Sequence, residues 1–260
     1  MSITEGGHWY KPDGSPFYSV KSKNGNERSV TLRDAKKINA VPSVTTVLNI
    51  LAKPALENWK VKQGVLAALT LSRESHETDD QFMERILRDS RQQAQDAAAE
   101  GSRIHDAIEC YFKGDKIPPQ YFKHVYAVRD EIERLYPDIE DWRAEDSFAH
   151  ASGYGGKVDL HSPSTGIVID FKGKDGDFSD GKRLHYDQHY QLAAYQHGLE
   201  LPENECVNIF VSRTHPGSVQ SYTWKVEEIQ QGKEIFLASL ALWQTVKGYK
   251  PVGISMELAE

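Results

Sequence analysis

Cysteine is scarce in this sequence, with only two among 260 residues. Two thiols provide neither a disulfide framework nor the four ligands of an iron–sulfur cluster or a structural zinc site. Cys110 falls on a helical apolar pattern and Cys206 beside a strand, so both are expected to be small core residues. A reducing compartment, the cytosol, is therefore the expected location.

Long apolar runs and a leader are also missing. No stretch approaches the roughly 20 apolar residues needed to cross a bilayer. The N-terminus, MSITEGGHWY, has neither a basic leader followed by an apolar run nor an Arg- and Ser-rich amphipathic pattern. We therefore expect no membrane span and no targeting peptide. The composition, 39% hydrophobic and 27% charged, is ordinary for a globular chain with a sizeable core.

An excess of positive charge is absent too, because the net charge is −7 at pH 7. This argues against a protein that coats nucleic acid without selectivity. The charge is uneven, however: residues 11–62 contain ten Lys or Arg against four Asp or Glu. Salt screens charges more than about 10 Å apart, so the local field decides. A basic front segment suits a polyanionic substrate held at one place, and a solvated surface explains it equally well.

The pattern predicts one domain in two parts, a helical N-terminal lobe over residues 1–100 and an α/β core over residues 101–260. Turn residues in PDGSP and NGN predict hairpins within the first 35 residues, and the helix in VPSVTTVLNIL begins at Pro42 and Ser43. The strands are WRAEDSFAH, GGKVDLHS, TGIVIDFKG, VNIFVS and VQSYTWKV. Apolar spacing predicts further helices over 55–71, 78–113 (broken near Gly101), 119–136, about 186–199 and 226–247.

Charged residues converge on two successive strands. Asp159 lies on GGKVDL, and the next strand, GIVIDFKGK, ends on Asp170 and Lys172. The strands form a hairpin, so Asp159 and Asp170 can face each other, and Lys172 points to the same side as Asp170 because side chains alternate. Two carboxylates suit Mg²⁺ or Mn²⁺, and the lysine can orient or deprotonate a water that attacks phosphorus. The alternative is an ordinary Asp–Lys ion pair, since single D-x-K triplets arise by chance.

Two predicted helices carry further polar residues at a spacing of four. His105 and Glu109 share a neighbouring face in GSRIHDAIECYF, and imidazole is a frequent ligand of divalent ions. Gln191 and Tyr195 share a face in HYDQHYQLAAYQHGL. Viewed alone, each pair is more simply explained by structural or exposed side chains on a packing helix.

Together these residues resemble the PD-(D/E)XK nuclease superfamily, and within it the RecB-like, phage-type exonuclease branch. The family pattern is G-x-x-x-H on a helix, a strand ending in G-x-x-D, a strand ending in D-x-K, and a helix with Q-x-x-x-Y. The sequence supplies GSRIH, GKVD, DFK and QLAAY in that order, across about residues 101–200. Four motifs in order are far more specific than any one of them. Asp170 stands where many members carry Glu, and the ligand chemistry of the two is equivalent.

The resemblance implies a restriction-endonuclease-like core, with a central mixed sheet flanked by helices, and it implies roles for the motif residues. Lys172 would be the catalytic lysine, Gln191 would position that lysine or the scissile phosphate, and Tyr195 would support the site. Glu145 occupies a place where relatives often carry an acidic residue, and it is a secondary candidate together with Glu109. The implied ligands of two Mg²⁺ or Mn²⁺ ions are His105, Asp159, Asp170 and the backbone carbonyl of Phe171.

DNA contacts are expected from the N-terminal lobe and from the end of the D-x-K strand. VPSVTTVL resembles the segment that precedes the nuclease core in lambda-type phage exonucleases and in the mitochondrial genome maintenance exonuclease. Hydroxyls and free N–H groups at a helix start can bind phosphate, so Ser43, Thr45 and Arg33 are candidates for holding a DNA end, and Lys174 is a fourth. The alternative for Ser43 is that it only caps the helix.

The resemblance therefore implies a metal-dependent DNA exonuclease that works by a two-metal mechanism in recombination, repair or phage DNA metabolism. Its partners would be DNA, as single strands or ends, and a single-strand annealing protein, in a bacterial or phage-infected cytosol. Oligomerisation is left open. Two alternatives are a structure-selective endonuclease of the same fold, which would cleave a closed circle, and a catalytically silent DNA-binding module, which the presence of every motif residue disfavours.

Overall fold

The computed structural model describes residues 7–180 and 189–252, and the N-terminal lobe fills the first part of this range. Its elements are β1 (Trp9–Tyr10), β2 (Ser19–Lys21), β3 (Glu27–Ser29), α1 (Leu32–Ile38), β4 (Val41–Pro42), α2 (Val44–Leu48), α3 (Pro54–Thr70) and α4 (Asp79–Lys113). Strand β1 pairs with β4 and β2 pairs with β3, both antiparallel. The lobe is therefore two small ribbons followed by helices.

The lobe differs from the sequence prediction at its start. Thr31 lies within the first 35 residues, for which hairpins were predicted, but it caps α1 and forms a capping box with Asp34, whose Oδ2 accepts a hydrogen bond from Thr31 N at 3.1 Å. The first predicted hairpin is reduced to a single bridge between Tyr10 and Pro16, because β1 pairs with β4. The second predicted hairpin, β2–β3, is confirmed.

Helix α4 is continuous, so the predicted break near Gly101 is wrong. Thr78 caps its start, and Gly114 ends it in the left-handed conformation (φ 73°). A glycine costs only about 1 kcal/mol inside a helix, and tertiary packing overrides it here. At Gly101 the helix passes close to the central sheet: a Cβ built on Gly173 would lie 3.4 Å from Gly101 Cα. The second half of α4 is thereby brought beside the sheet.

The core is a five-stranded mixed sheet with helices. Its elements are a 3-10 helix (Pro119–Tyr121), α5 (Phe122–Leu135), β5 (Arg143–His150), β6 (Tyr154–His161), β7 (Val168–Lys174), a second 3-10 helix (Phe178–Asp180), α6 (His189–Gly198), β8 (Cys206–Ser212), β9 (Val219–Trp224) and α7 (Val226–Lys247). The strand order is β5-β6-β7-β8-β9. Strands β7 and β8 are parallel, and the other neighbours are antiparallel.

Helices cover both faces of this sheet, as alternate residues of β7 show. Ile169 and Phe171 belong to an apolar cluster with Ile104 of α4 and the buried side chains of α5. Val168 belongs to a second cluster, with Leu192 of α6 and the buried side chains of α7. Both faces are thus removed from water, which explains why β7 reads as a continuous apolar run before Asp170. The predicted α/β class with a central mixed sheet flanked by helices is confirmed.

The predicted core elements are largely confirmed. The five strands and α5 and α7 lie where the pattern placed them; α6 accounts for most of the helix expected over 186–199, whose first residues lie outside the described range. Cys206 is buried as expected, Cys110 is half-buried, and both are free thiols. Within the described ranges, no helix is both long enough and apolar enough to cross a membrane.

The turn between β6 and β7 sets the register of the two strands. Gly166 has φ +80°, its N–H donates to Ser162 O at 2.8 Å, and a Cβ added there would overlap the carbonyl oxygen of Pro202. We expect Gly166→Ala to destabilise the fold by roughly 2–5 kcal/mol, as the sum of a left-handed backbone and overpacking. Urea denaturation followed by circular dichroism measures this free energy of unfolding.

Gly217, in the turn between β8 and β9, provides the matched control. It also has a positive φ (+99°), but a Cβ there meets no described atom within 4 Å. Gly217→Ala should therefore show the backbone cost alone, about 1–2 kcal/mol. Equal losses in the two variants would mean that the contact with Pro202 does not constrain the turn.

Candidate functional site

The candidate site lies where β6 and β7 separate. Described pairing between these strands ends at Leu160 and Ile169, and the next residues are Asp159 on β6 and Asp170 on β7. Beyond this point a side chain takes the place of the described backbone pairing between the two strands. Asp159 Oδ2 accepts a hydrogen bond from Phe171 N at 2.8 Å. The separation leaves two carboxylates near each other at the mouth of a gap in the sheet, which is the arrangement that the hairpin pattern predicts.

Asp170 is the most buried charged group of the site, with 2% of the residue exposed. Its Oδ1 accepts hydrogen bonds from Lys172 Nζ at 2.7 Å and from Gln191 Nε2 at 3.0 Å, and its Oδ2 accepts one from Asn208 Nδ2 at 2.8 Å. Burial raises the pKa of Asp170; the Lys172 ammonium opposes the shift and the charge of Asp159 adds to it. Three donors compensate the burial of this carboxylate.

Asn208 is a site residue that the sequence reasoning missed. It lies on β8 directly opposite Asp170 in the parallel register, and it is 1% exposed. Its Oδ1 accepts a hydrogen bond from Trp224 Nε1 at 2.8 Å. The available signal was a single amide inside the apolar strand CVNIFVS, since buried polar side chains are normally hydrogen-bonded to something specific.

His105 and Asp159 form the other half of the site. His105 Nδ1 on α4 lies 3.6 Å from Asp159 Oδ2, and the imidazole packs edge-on against the Phe171 ring, with ring centroids 6.0 Å apart. The structure thus brings His105, Asp159 and Phe171 together, and their role as metal ligands stays a prediction. Phe171 contacts Asp159 through its backbone N–H, whereas the predicted metal ligand is its backbone carbonyl.

Helix α6 supplies Gln191 and Tyr195, which the predicted spacing places one turn apart. Gln191 Nε2 donates to Tyr195 Oη at 2.9 Å as well as to Asp170. Burial raises the pKa of Tyr195 well above its usual range, and the charges of Asp170 and Asp159 add to this. Gly156, the glycine of the GKVD motif, makes room for the tyrosine, because a Cβ there would lie 2.8 Å from the Tyr195 ring.

The end of β7 carries positive charge. The Lys172 side chain is 24% exposed, so its ammonium reaches the surface beside the buried Asp170. Lys174 follows two residues later, and burial and the neighbouring Arg213 lower its pKa. Arg213, which the sequence reasoning also missed, donates from its backbone N to Lys174 O at 2.8 Å and pairs with Asp175 at 2.8 Å. This edge is suited to a phosphate.

The two secondary candidates pair with lysines. Glu109 on α4 accepts a hydrogen bond from Lys113 Nζ at 2.5 Å on the helix surface. Glu145 lies on β5 between Ala144 and Asp146, which pair with Leu160 and Val158 on either side of Asp159, and its carboxylate contacts Lys157. Glu145 also has φ 64°, a conformation that costs about 1–3 kcal/mol in a non-glycine residue and is concentrated at functional sites.

The candidate DNA-binding residues of the lobe lie in or beside short helices. Ser43 is 3% exposed, and its Oγ accepts a hydrogen bond from Thr46 N at 3.0 Å, so it caps α2. Thr45 is exposed next to it, and its Oγ1 lies 3.0 Å from Ser43 Oγ. Arg33 is exposed on α1. Ser43 also bridges to Gly155, which fixes the start of α2 against β6.

The carboxylates and the imidazole of the site suit a hard divalent ion in number and type, although they do not form a complete set of ligands around one. No group of three or more His, Cys, Asp or Glu side chains in the described residues is arranged to hold a metal. Mg²⁺ characteristically uses one or two protein carboxylates, with waters and substrate phosphates completing its shell. Asp159 and Asp170 meet that requirement, and His105 adds an imidazole beside Asp159.

Comparisons with known proteins give distant structural likenesses. A candidate exonuclease from Eubacterium rectale is 13% identical, with 62% of this chain and 72% of that chain covered and a TM-score of 0.42. The protein SSO0001 is 11% identical, with 70% and 86% covered and a TM-score of 0.29. A phage-related exonuclease from Haemophilus somnus is 9% identical, with 56% and 82% covered and a TM-score of 0.27. No protein-family model and no curated protein matches the sequence. Likenesses this distant do not assign an activity.

Proposed function

We propose that this protein is a metal-dependent deoxyribonuclease of the PD-(D/E)XK type and that it acts as an exonuclease. The observation that carries the proposal is the meeting of Asp170, Lys172 and Gln191. Lys172 Nζ and Gln191 Nε2 both donate to Asp170 Oδ1, at 2.7 and 3.0 Å. The D-x-K and Q-x-x-x-Y motifs were separate in the sequence, so their contact supports one shared role.

The residues divide the chemical work. Asp159, Asp170 and His105 would hold Mg²⁺ or Mn²⁺, which when bound supplies a Lewis acid that neutralises charge on the phosphate. Lys172, whose ammonium is anchored on Asp170 Oδ1, would orient the attacking water and donate to the phosphate oxygens as their charge increases. Gln191 restrains Asp170 from α6, so the carboxylate and the ammonium keep one orientation. The count of two ions per site rests on the family resemblance.

The substrate is proposed to be DNA with an end. Lys174 and Arg213, beside Lys172 at the end of β7, are suited to the phosphates that follow the scissile bond. The family resemblance supports a role in recombination, repair or phage DNA metabolism, beside a single-strand annealing protein in the cytosol. A structure-selective endonuclease is the second candidate, because the same group of side chains would serve either reaction.

One assay tests the activity and the choice between the two. A linear DNA labelled at either end and a closed circle of the same sequence are incubated with Mg²⁺, with Mn²⁺ or with a chelator. We expect progressive, metal-dependent loss from one end of the linear DNA while the circle is spared. Cleavage of the circle would establish an endonuclease. Retention of both substrates under every metal condition would contradict a deoxyribonuclease.

A further inference from the structure

The buried face of Asp170 depends on a residue outside all four motifs. Lys172 and Gln191 both donate to Oδ1, whereas the described donor to Oδ2 is Asn208 Nδ2, at 2.8 Å. Asn208 lies directly opposite Asp170 in the parallel β7–β8 register. A shift of one residue would put Val207 or Ile209 there, so the sheet register fixes this contact.

An asparagine amide can face a carboxylate in two ways, and only one is favourable. With NH₂ toward Asp170 it donates a hydrogen bond; turned over, it would place Oδ1 against a carboxylate oxygen inside a buried site. The ionised Asp170 carboxylate only accepts, so it already favours the first orientation. A neighbouring group that can only donate, placed at the amide oxygen, would fix that orientation further.

Trp224 is that group. Its indole N–H can only donate, and Nε1 lies 2.8 Å from Asn208 Oδ1, so the oxygen is held toward Trp224 and the NH₂ toward Asp170. Trp224 pairs with Cys206 on β8, which makes it a diagonal neighbour of Asn208 and within reach of an aromatic side chain. The ring is 3% exposed and lies against Tyr222 and His189, with centroid distances of 4.5 and 4.7 Å.

We propose that Asn208 is a positioning residue for Asp170 and that Trp224 acts on the site through Asn208. The chain of contacts runs from the indole N–H to the amide oxygen, and from the amide N–H to Asp170 Oδ2. These contacts restrain the carboxylate at Oδ2, so that Oδ1 keeps its hydrogen bonds with Lys172 and Gln191. This inference rests on the proposed function of the site.

A double-mutant cycle tests the inference. We measure kcat and KM for metal-dependent cleavage of linear DNA with wild type, Asn208→Ala, Trp224→Phe and the double variant. Asn208→Ala should lower kcat about 100-fold, since it removes a hydrogen bond to a charged group, and Trp224→Phe about tenfold. The double variant should equal Asn208→Ala, because Trp224 has no route to the site once the amide is gone. KM should stay near the wild-type value.

The control is Trp243→Phe, which removes a buried indole from the same apolar cluster and is 3% exposed in wild type. It should lower the melting temperature like Trp224→Phe but leave kcat unchanged. Calorimetric titration with Mn²⁺, without DNA, gives a second readout, in which Asn208→Ala and Trp224→Phe should both weaken binding and Trp243→Phe should not.

The outcomes separate the inference from the proposed function. Should wild type cleave DNA while Trp224→Phe and Trp243→Phe have the same kcat and Mn²⁺ affinity, the inference alone is overturned. Independent effects of the two substitutions on kcat would also overturn it. A wild-type protein that neither cleaves DNA nor binds Mn²⁺ overturns the proposed function, and the positioning role with it. If Asn208→Ala does not fold, the comparison of Trp224→Phe with Trp243→Phe still decides.

Discussion

Replacing Lys172 by methionine is expected to lower kcat for DNA cleavage roughly 10²–10⁴-fold, the range for removing a positioned acid–base or charge-stabilising group. Methionine keeps most of the apolar stem but removes the ammonium that donates to Asp170 Oδ1 at 2.7 Å. The Lys172 side chain is partly exposed, so the fold should tolerate the change. Steady-state kinetics and thermal denaturation, measured side by side, check both parts.

Lys174 is the matched control, because it lies two residues further on the same strand. Its proposed contact is with phosphate rather than with the reacting water. Lys174→Met should therefore raise KM several-fold with a smaller change in kcat, by loss of one charge contact. The roles proposed for these lysines would be wrong if Lys172→Met kept wild-type kcat, or if both variants changed only KM.

Asp170→Asn is expected to lower cleavage by at least about 10³-fold in a protein that still folds. Asparagine has nearly the same shape but carries no charge for a divalent ion, and it cannot anchor the Lys172 ammonium as an ion pair; several kcal/mol of charge stabilisation are lost. The amide also costs some stability, because only its oxygen can accept and its NH₂ must face a donor, either on Asn208 or on Lys172 and Gln191.

Asp141→Asn should lower stability without lowering activity. Asp141 accepts hydrogen bonds from Ser162 Oγ at 2.6 Å and Ser164 N at 2.8 Å at the β6–β7 turn. These hydrogen bonds, chiefly the one from the Ser162 hydroxyl, lower the pKa of Asp141. Its ionised form therefore stabilises the turn above the ordinary carboxyl pKa, and this stability is lost in the amide. We expect a lower melting temperature with kcat retained. An Asp170→Asn variant with a lower melting temperature but wild-type kcat would make Asp170 a structural residue.

The motif residues were predictable because each motif is local. Strand and helix periodicity places Asp159, Asp170, Lys172 and the helix residues His105, Gln191 and Tyr195 on their elements, and the resemblance to PD-(D/E)XK nucleases implies their roles. The five core strands and the helices α5 and α7 were predictable for the same reason: continuous apolar runs and helical spacing are read over a few residues. Deviations came where local preference was weak, as at Gly101, where packing keeps α4 continuous.

The folded structure decided which partners the secondary candidates bind. Glu109 and Glu145 were plausible ligands by type and position, and in the structure they pair with Lys113 and Lys157. Ser43 was open to two interpretations, and in the structure its hydroxyl caps α2. A carboxylate or hydroxyl in a sequence has several partners within reach, and only the folded geometry selects one.

The sequence by itself identified the groups proposed to carry the chemistry, namely two aspartates, a lysine, a histidine and a glutamine on named elements, because it contains the motifs on which the family resemblance depends. The tertiary structure alone decided what surrounds them. Asn208 reaches Asp170 over 38 residues, and Trp224 reaches Asn208 over 16, through the register of three neighbouring strands. Strands β7 and β8 are parallel and are joined through α6 rather than by a tight turn, so no local pattern fixes which residue of β8 lies opposite Asp170.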